Sequence, residues 1–87
     1  VFYIADNGGP TQSTTSSNGP LRGFKMNTFE GGPRVPFIAY WKGKIAGGKT
    51  YDHPVINLDV LPTAIVAAGG QVDPAWKLDG VDLLPFL

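Results

Sequence analysis

The chain opens on an uninterrupted apolar run, Val1–Ala5, which stops abruptly at Asp6, Asn7, Gly8 and Gly9. A short run of β-branched and aromatic residues without polar alternation predicts a strand covered on both faces, as in the parallel sheet of an α/β protein. In open α/β sheets, ligands bind just beyond the carboxyl ends of the strands. This one feature therefore predicts both a fold class and the place where a functional site is expected.

Asp6 and Asn7 are candidate metal ligands at that place. An adjacent carboxylate and amide supply oxygen donors, which suit Ca²⁺ or Mg²⁺ better than Zn²⁺. Gly8 and Gly9 allow the backbone to turn sharply after them. The same residues, followed by Pro10, are also good turn formers, because Asx side chains close local turns. This stretch alone favours the turn over the metal site.

Composition excludes several classes of function. The chain carries seven basic and seven acidic side chains, so neither a nucleic-acid footprint nor a polybasic membrane patch is visible. No apolar run approaches the roughly 18 to 20 residues needed to span a bilayer. The absence of Cys excludes disulfides, thiolate zinc sites and Cys nucleophiles from these residues. A parallel strand at the start of so short a chain needs partners that the chain does not offer, and this predicts a piece of a larger α/β domain.

Lys25 is the other candidate functional residue. It lies in a glycine-framed segment, 21–32, three residues after Arg22, an arrangement that can present a cation to an anionic group. The competing interpretation is a solvated surface lysine, as most exposed lysines are. Spacing alone favours the surface role.

The remaining pattern predicts a loop, a second strand and a helix. Residues 11–19 are small and polar, which favours a surface connector over an active-site lip. The second strand is expected within Pro33–Trp41, with Pro36 near its start or at an edge, because proline cannot donate to a ladder. The helix is expected at about 59–69, and Gly69 is expected to end it in a left-handed conformation. Its start is expected to be capped by the side chain of Asp59 or Asn57.

Six blocks of the chain, in order and at the family's spacing, resemble the type I sulfatases of the alkaline-phosphatase-like superfamily. The blocks are Ala5-Asp6-Asn7-Gly8-Gly9-Pro10, Pro20-Leu21-Arg22-Gly23-Phe24-Lys25, Glu30-Gly31-Gly32-Pro33-Arg34-Val35-Pro36, Trp41-Lys42-Gly43-Lys44-Ile45, Leu58-Asp59-Val60-Leu61-Pro62-Thr63 and Leu78-Asp79-Gly80-Val81-Asp82-Leu83. The resemblance implies that residues 1–87 are a later part of a catalytic domain. That domain is expected to have an α/β fold with a large mixed, mainly parallel sheet flanked by helices.

The resemblance also implies roles for particular residues. Asp6 and Asn7 correspond to a metal-binding pair, usually for Ca²⁺ and alternatively for Mg²⁺, and Lys25 corresponds to the lysine that contacts the sulfate group. The implied substrate is a sulfate ester, and the family suggests a periplasmic, secreted or lysosomal protein. Glu30 is expected to close a turn and Arg34 to form a buried ion pair.

The chain departs from the family pattern in ways that bear on substrate and activity. Phe24 and Met26 flank Lys25 where the family usually has glycines, and Trp41-Lys42 replaces a common Trp-Pro; these changes affect substrate preference more than reaction type. The family's nucleophile is a formylglycine made within a Cys/Ser-x-Pro-x-Arg motif, which is absent here. The resemblance therefore implies that the nucleophile belongs to the remainder of a parent chain and that the 87 residues alone are inactive.

Two alternatives remain beside a sulfatase. A phosphodiesterase or phosphonate hydrolase of the same superfamily would use similar metal chemistry on another tetrahedral anion. A non-catalytic remnant that binds sulfated glycans would need no nucleophile.

Overall fold

The computed structural model describes all residues, 1–87, and contains little regular secondary structure. Its two strands and one α-helix are β1 (Phe2–Ile4), β2 (Phe37–Ala39) and α1 (Val60–Ala67). Three short 3₁₀ turns complete it, at Asn57–Asp59, Pro74–Trp76 and Leu84–Phe86. Most of the chain is therefore held by turns and loop hydrogen bonds.

The chain divides into two compact units, each with its own contacts. One unit is Tyr3–Ile38, which we call the loop unit because it consists mainly of turns. The other is Val1–Phe2 together with Ala39–Leu87, which we call the helix unit because it contains α1.

β1 and β2 form a two-stranded antiparallel sheet. In the helix unit, the N–H of Tyr40 donates to the carbonyl of Val1 at 2.8 Å, and the Val1 ammonium donates to the carbonyl of Tyr40 at 2.7 Å. In the loop unit, the N–H of Ala5 donates to the carbonyl of Pro36 at 3.3 Å. Residue 1 thus lies opposite residue 40, and residue 5 opposite residue 36, so the strands run in opposite directions.

Within residues 1–87, β1 pairs only with β2 and in the antiparallel direction, so the parallel, doubly covered first strand predicted from the sequence is not observed here. Tyr3 and Ile38 are 64% and 56% exposed, whereas their neighbours within each strand are half-buried. An apolar run indicates burial but carries no information on strand direction, which depends here on the long connection that brings β2 back beside β1. The larger mixed, mainly parallel sheet stays a prediction.

Two buried polar residues, Asp59 and Thr63, organise the helix unit. The Asp59 carboxylate accepts hydrogen bonds from the N–H groups of Ile56, at 2.8 Å, and Val81, at 2.9 Å. The Thr63 hydroxyl donates to the carbonyl of Asp59 at 2.6 Å and accepts from the N–H of Leu83 at 2.9 Å. These bonds fix the tail segment 81–83 against α1 and bury Leu83.

The prediction that the side chain of Asp59 or Asn57 caps the start of α1 is wrong. No side chain caps the first turn of α1, and the Asp59 carboxylate instead reaches back to Ile56 and across to the tail. At the other end, Gly69 adopts φ +82°, the left-handed conformation expected after a helix.

The eight residues of α1 are too few to span a bilayer, and the chain has no other α-helix that could do so.

Candidate functional site

The two candidate metal ligands lie directly after β1, in the loop unit. Asp6 is exposed, and its carboxylate takes part in no hydrogen bond or ion pair. The Nδ2 of Asn7 donates to the carbonyl of Gly8 at 3.0 Å, and its Oδ1 accepts no hydrogen bond. Oxygen atoms of both side chains are thus available to a cation.

This donor set fits one part of a site for a hard cation. Carboxylate and amide oxygens are ligands that Ca²⁺ takes, but Ca²⁺ binds six to eight of them. No group of three or more His, Cys, Asp or Glu side chains in the chain is arranged to hold a metal. Asp6 and Asn7 can therefore supply only a share of the ligands, and the others have to come from elsewhere.

Glycines allow three backbone segments to meet beside residues 6–9, which we call the ligand loop because they include both candidate metal ligands. The N–H of Gly8 donates to the carbonyl of Gly32 at 2.7 Å, and the N–H of Gly31 donates to the carbonyl of Arg22 at 2.7 Å. A Cβ on Gly8 would overlap the carbonyl oxygen of Gly31, and a Cβ on Gly31 would overlap that of Gly23. The glycine pairs that the sequence marks as turns are thus needed for close backbone packing.

Lys25 is held against the ligand loop by its backbone. Its N–H donates to the carbonyl of Gly9 at 3.4 Å, while its side chain is exposed. The structure therefore brings the segments of all three sequence-predicted residues, Asp6, Asn7 and Lys25, together in one unit.

Lys25 is also the cation of the loop unit whose charge is not engaged by another side chain. Arg22 stacks on Phe29, with its guanidinium carbon 3.9 Å from the ring centroid. Arg34 pairs with Glu30 at 3.3 Å. The unit carries three cationic side chains against two carboxylates, so an anion near Lys25 meets a net positive environment.

The Glu30–Arg34 pair corrects one expectation. The side chains are 66% and 69% exposed, so the ion pair is not buried and adds little stability. Glu30 does close a turn, as expected, but with its backbone: its carbonyl accepts a hydrogen bond from the N–H of Arg34 at 2.8 Å.

Met26 shows how the chain accommodates its departure from the glycine-flanked lysine. It has φ +74°, a left-handed conformation that glycine adopts without strain, and its side chain is 90% exposed. The backbone after Lys25 thus follows a path that favours glycine, while the methionine side chain projects into solvent.

Asn18 is a residue of the site that sequence reasoning missed. Its side-chain amide makes three hydrogen bonds, two with the backbone of Gly9 and one with the carbonyl of Gly23. In the sequence it is one more polar residue of the 11–19 segment, and nothing nearby indicates its partners. The only available signal was its type, since asparagine bonds readily to backbone groups in turns.

An open cavity of about 530 Å³ lies beside the ligand loop. Its polar lining comes from Asn7, Ser17, Asn18 and Arg34, all in the loop unit. Part of the 11–19 segment is therefore the wall of a cavity that also borders a candidate metal ligand.

Comparisons with known proteins identify the family of the chain. The family model described as Sulfatase matches residues 1–70. The chain is 48% identical over 89 residues to arylsulfatase A of Bos taurus, 45% identical over 94 residues to steryl-sulfatase of Rattus norvegicus, and 40% identical over 90 residues to N-acetylgalactosamine-6-sulfatase of Mus musculus. Each match covers 100% of this chain but only 16–17% of the relative's length. No solved structure matches the chain significantly.

Proposed function

The chain belongs to the sulfatase family, and on that premise we propose that its residues form part of a metal-dependent sulfuric ester hydrolase. Membership implies the alkaline-phosphatase-like α/β fold of that family. Because the chain spans about 15–17% of the length of the relatives it matches, the complete activity is proposed for a longer protein that contains it.

One observation carries the assignment of roles. The N–H of Lys25 donates to the carbonyl of Gly9, three residues after Asp6 and two after Asn7. A candidate anion-binding cation and two candidate metal ligands are therefore presented from adjoining backbone segments of one unit. We assign Asp6 and Asn7 to Ca²⁺, with Mg²⁺ as the alternative, and Lys25 to the sulfate group.

The chemistry of these side chains suits sulfate-ester hydrolysis. A bound divalent cation supplies Lewis acidity that draws charge from the ester oxygens. The Lys25 ammonium donates hydrogen bonds to sulfate oxygens and stabilises the negative charge that develops on them in the transition state. The Asp6 carboxylate and Asn7 amide hold the cation and fix its place relative to Lys25.

The nucleophile is proposed to lie outside these residues. The chain has no Cys and no Ser-x-Pro-x-Arg sequence from which a formylglycine could be made. The 87 residues alone are thus expected to hydrolyse no sulfate ester, and the remainder of the sulfatase chain is their required partner.

The proposed substrate class is the sulfate ester without a preference for one alcohol. The names of the relatives refer to aryl, steryl and N-acetylgalactosamine-6-sulfates. The sulfate esters of these alcohols have only the sulfate group in common, and the roles assigned here concern that group. Selectivity for the alcohol is expected from Ser17 at the cavity wall and from the rest of the protein.

The test is a comparison of substrates with the full-length protein that contains these residues. An aryl sulfate should be hydrolysed with a kcat/KM at least tenfold higher than the matching aryl phosphodiester or phosphonate monoester. Chelation should remove the activity, and Ca²⁺ should restore it better than Mg²⁺. A preference for the phosphodiester, or binding of sulfated glycans without any turnover, would reject the proposal.

A further inference from the structure

We propose that Asn18 is a positioning residue that sets the spacing between the candidate metal ligands and the sulfate-binding lysine. This inference rests on the proposed function, since it concerns the same site. Asn18 itself is not assigned a contact with substrate or cation; it acts through the backbone of the two segments that carry Asn7 and Lys25.

The side-chain amide of Asn18 makes hydrogen bonds to two backbone segments, one at Gly9 and one at Gly23. Its Oδ1 accepts from the N–H of Gly9 at 2.8 Å. Its Nδ2 donates to the carbonyl of Gly9 at 3.1 Å and to the carbonyl of Gly23 at 3.0 Å. Gly9 lies two residues after Asn7, and Gly23 lies two residues before Lys25. A single half-buried side chain therefore ties both functional segments to one point.

Apart from the bonds of Asn18, the two segments are joined by a single long hydrogen bond. Only the N–H of Lys25, donating to the carbonyl of Gly9 at 3.4 Å, joins them by a backbone hydrogen bond. That distance is long compared with the usual 2.9–3.0 Å of such bonds. The side-chain amide of Asn18 provides the shorter connections, and it makes them to the backbone on both sides.

The pattern of donors and acceptors requires an asparagine. One acceptor and two donors are used, and a side-chain amide offers both kinds of group in one plane. An aspartate would keep the bond from the Gly9 N–H and lose both donations. The fit is also tight, because a Cβ on Gly9 would lie 3.2 Å from the Asn18 Oδ1 and 2.6 Å from the Ser16 hydroxyl oxygen.

The test uses the full-length protein with Asn18→Ala and Asn18→Asp, and with Thr15→Ala as the matched control. Thr15 is an exposed residue of the same segment, lies outside the cavity wall, and makes no side-chain hydrogen bond. The Kd for Ca²⁺ is measured on metal-free protein by titration, and kcat and KM are measured separately with an aryl sulfate. Loss of a residue that orients a metal ligand commonly lowers metal affinity or activity about 10- to 100-fold.

We expect Asn18→Ala to raise the Kd for Ca²⁺ about tenfold and to lower kcat about 10- to 100-fold, with a smaller change in KM. Asn18→Asp should show most of the same loss, because both donations are gone. Thr15→Ala should stay within about twofold of the wild type, as is usual for surface substitutions. Because Asn18 acts through the segment of Lys25, the double variant Asn18→Ala with Lys25→Ala should lower kcat by less than the product of the two single fold-changes.

A purely structural role gives a different result. Asn18→Ala would then lower the melting temperature while the folded protein keeps the wild-type Kd for Ca²⁺ and the wild-type kcat, and this would overturn the inference. Failure of both Asn18 variants to fold would also overturn it, because the residue would then support the whole loop unit. An active wild type with an unaffected Asn18→Ala variant rejects the inference alone, whereas a wild type without sulfate-ester turnover rejects the proposed function itself.

Discussion

The N–H of Gly8 donates to the carbonyl oxygen of Gly32 at 2.7 Å, and both residues are buried. This bond joins the loop that carries Asp6 and Asn7 to the glycine turn that follows Glu30. The geometry of the candidate site thus depends on two glycines that have no functional groups of their own.

We predict that Gly8→Ala destabilises the protein and impairs the site. The added methyl group would overlap the carbonyl oxygen of Gly31, and a backbone atom cannot move aside as a flexible side chain would. Overpacking of this kind lowers the free energy of unfolding by about 3 kcal/mol. Gly47→Ala is the matched control, because a Cβ there meets nothing within 4 Å. Chemical denaturation of both variants should separate them, and equal stabilities would show that the loop unit yields more easily than its backbone packing indicates.

Asp6→Ala is expected to abolish turnover and weaken Ca²⁺ binding without unfolding the protein. The carboxylate is exposed and bonds to no other group, so its removal leaves no partner unsatisfied. Asp52→Ala removes an equally exposed carboxylate and should leave both properties unchanged. The measurements are kcat with an aryl sulfate, metal content of the purified protein, and melting temperature. Near-normal turnover by Asp6→Ala would remove this residue from the site.

Lys25→Ala should lower kcat about 10²- to 10³-fold, as loss of one preorganised donor to a developing negative charge commonly does. Lys44→Ala is the control, since Lys44 is another exposed lysine that lies in the helix unit. Lys25→Arg keeps the charge but changes its shape, so partial activity is expected. Steady-state kinetics with an aryl sulfate decide the matter. Equal effects of the two alanine variants would assign Lys25 to the solvated surface.

Met26→Gly is expected to stabilise the protein rather than weaken it. At φ +74°, a non-glycine residue carries a strain of about 1–2 kcal/mol, and the 90% exposed side chain makes few contacts to lose. The greater freedom of glycine in the unfolded chain offsets about 0.5–1 kcal/mol of this gain. Met26→Ala is the comparison, because it removes the side chain but keeps the strain. Denaturation should place Met26→Gly above Met26→Ala in stability, and the opposite order would contradict the strained backbone at this position.

Thr63→Val tests the packing of the helix unit. Valine has nearly the same shape as threonine, but it leaves the N–H of Leu83 without its 2.9 Å acceptor in a buried place. An unsatisfied buried donor lowers the free energy of unfolding by about 1–3 kcal/mol. Thr28→Val, at an exposed threonine, should change it by less than about 0.5 kcal/mol. Unfolding curves for both variants provide the test, and similar values would mean that the tail is held by other contacts.

The candidate residues of the site were within reach of sequence reasoning because their signals are local. An apolar run that ends on Asp6 and Asn7 marks a strand followed by oxygen donors, and the glycines mark sharp turns. The left-handed conformation of Gly69, two residues after the last residue of α1, was also predicted from its residue type. Each of these inferences uses residues only a few positions apart.

The features that sequence reasoning did not provide depend on partners or surroundings that are far apart in the sequence. The direction of β2 relative to β1 depends on how a connection of more than thirty residues returns, and residue types do not record this. The carboxylate of Asp59 bonds to Val81, 22 residues later, instead of capping the helix that follows it. The exposure of the Glu30–Arg34 pair likewise depends on what packs around it.

The sequence by itself determined the family of this protein, because six ordered blocks of residue types carry that information, and the resemblance to the family supplied the candidate ligands and lysine. Only the tertiary structure decided that Lys25, rather than Arg22 or Arg34, has an unengaged charge, and that Asn18 ties its segment to the ligand loop. The physical reason is that a hydrogen bond or a stacked pair depends on two groups meeting within a few ångströms, and for these groups the folded path of the backbone decides which of them meet.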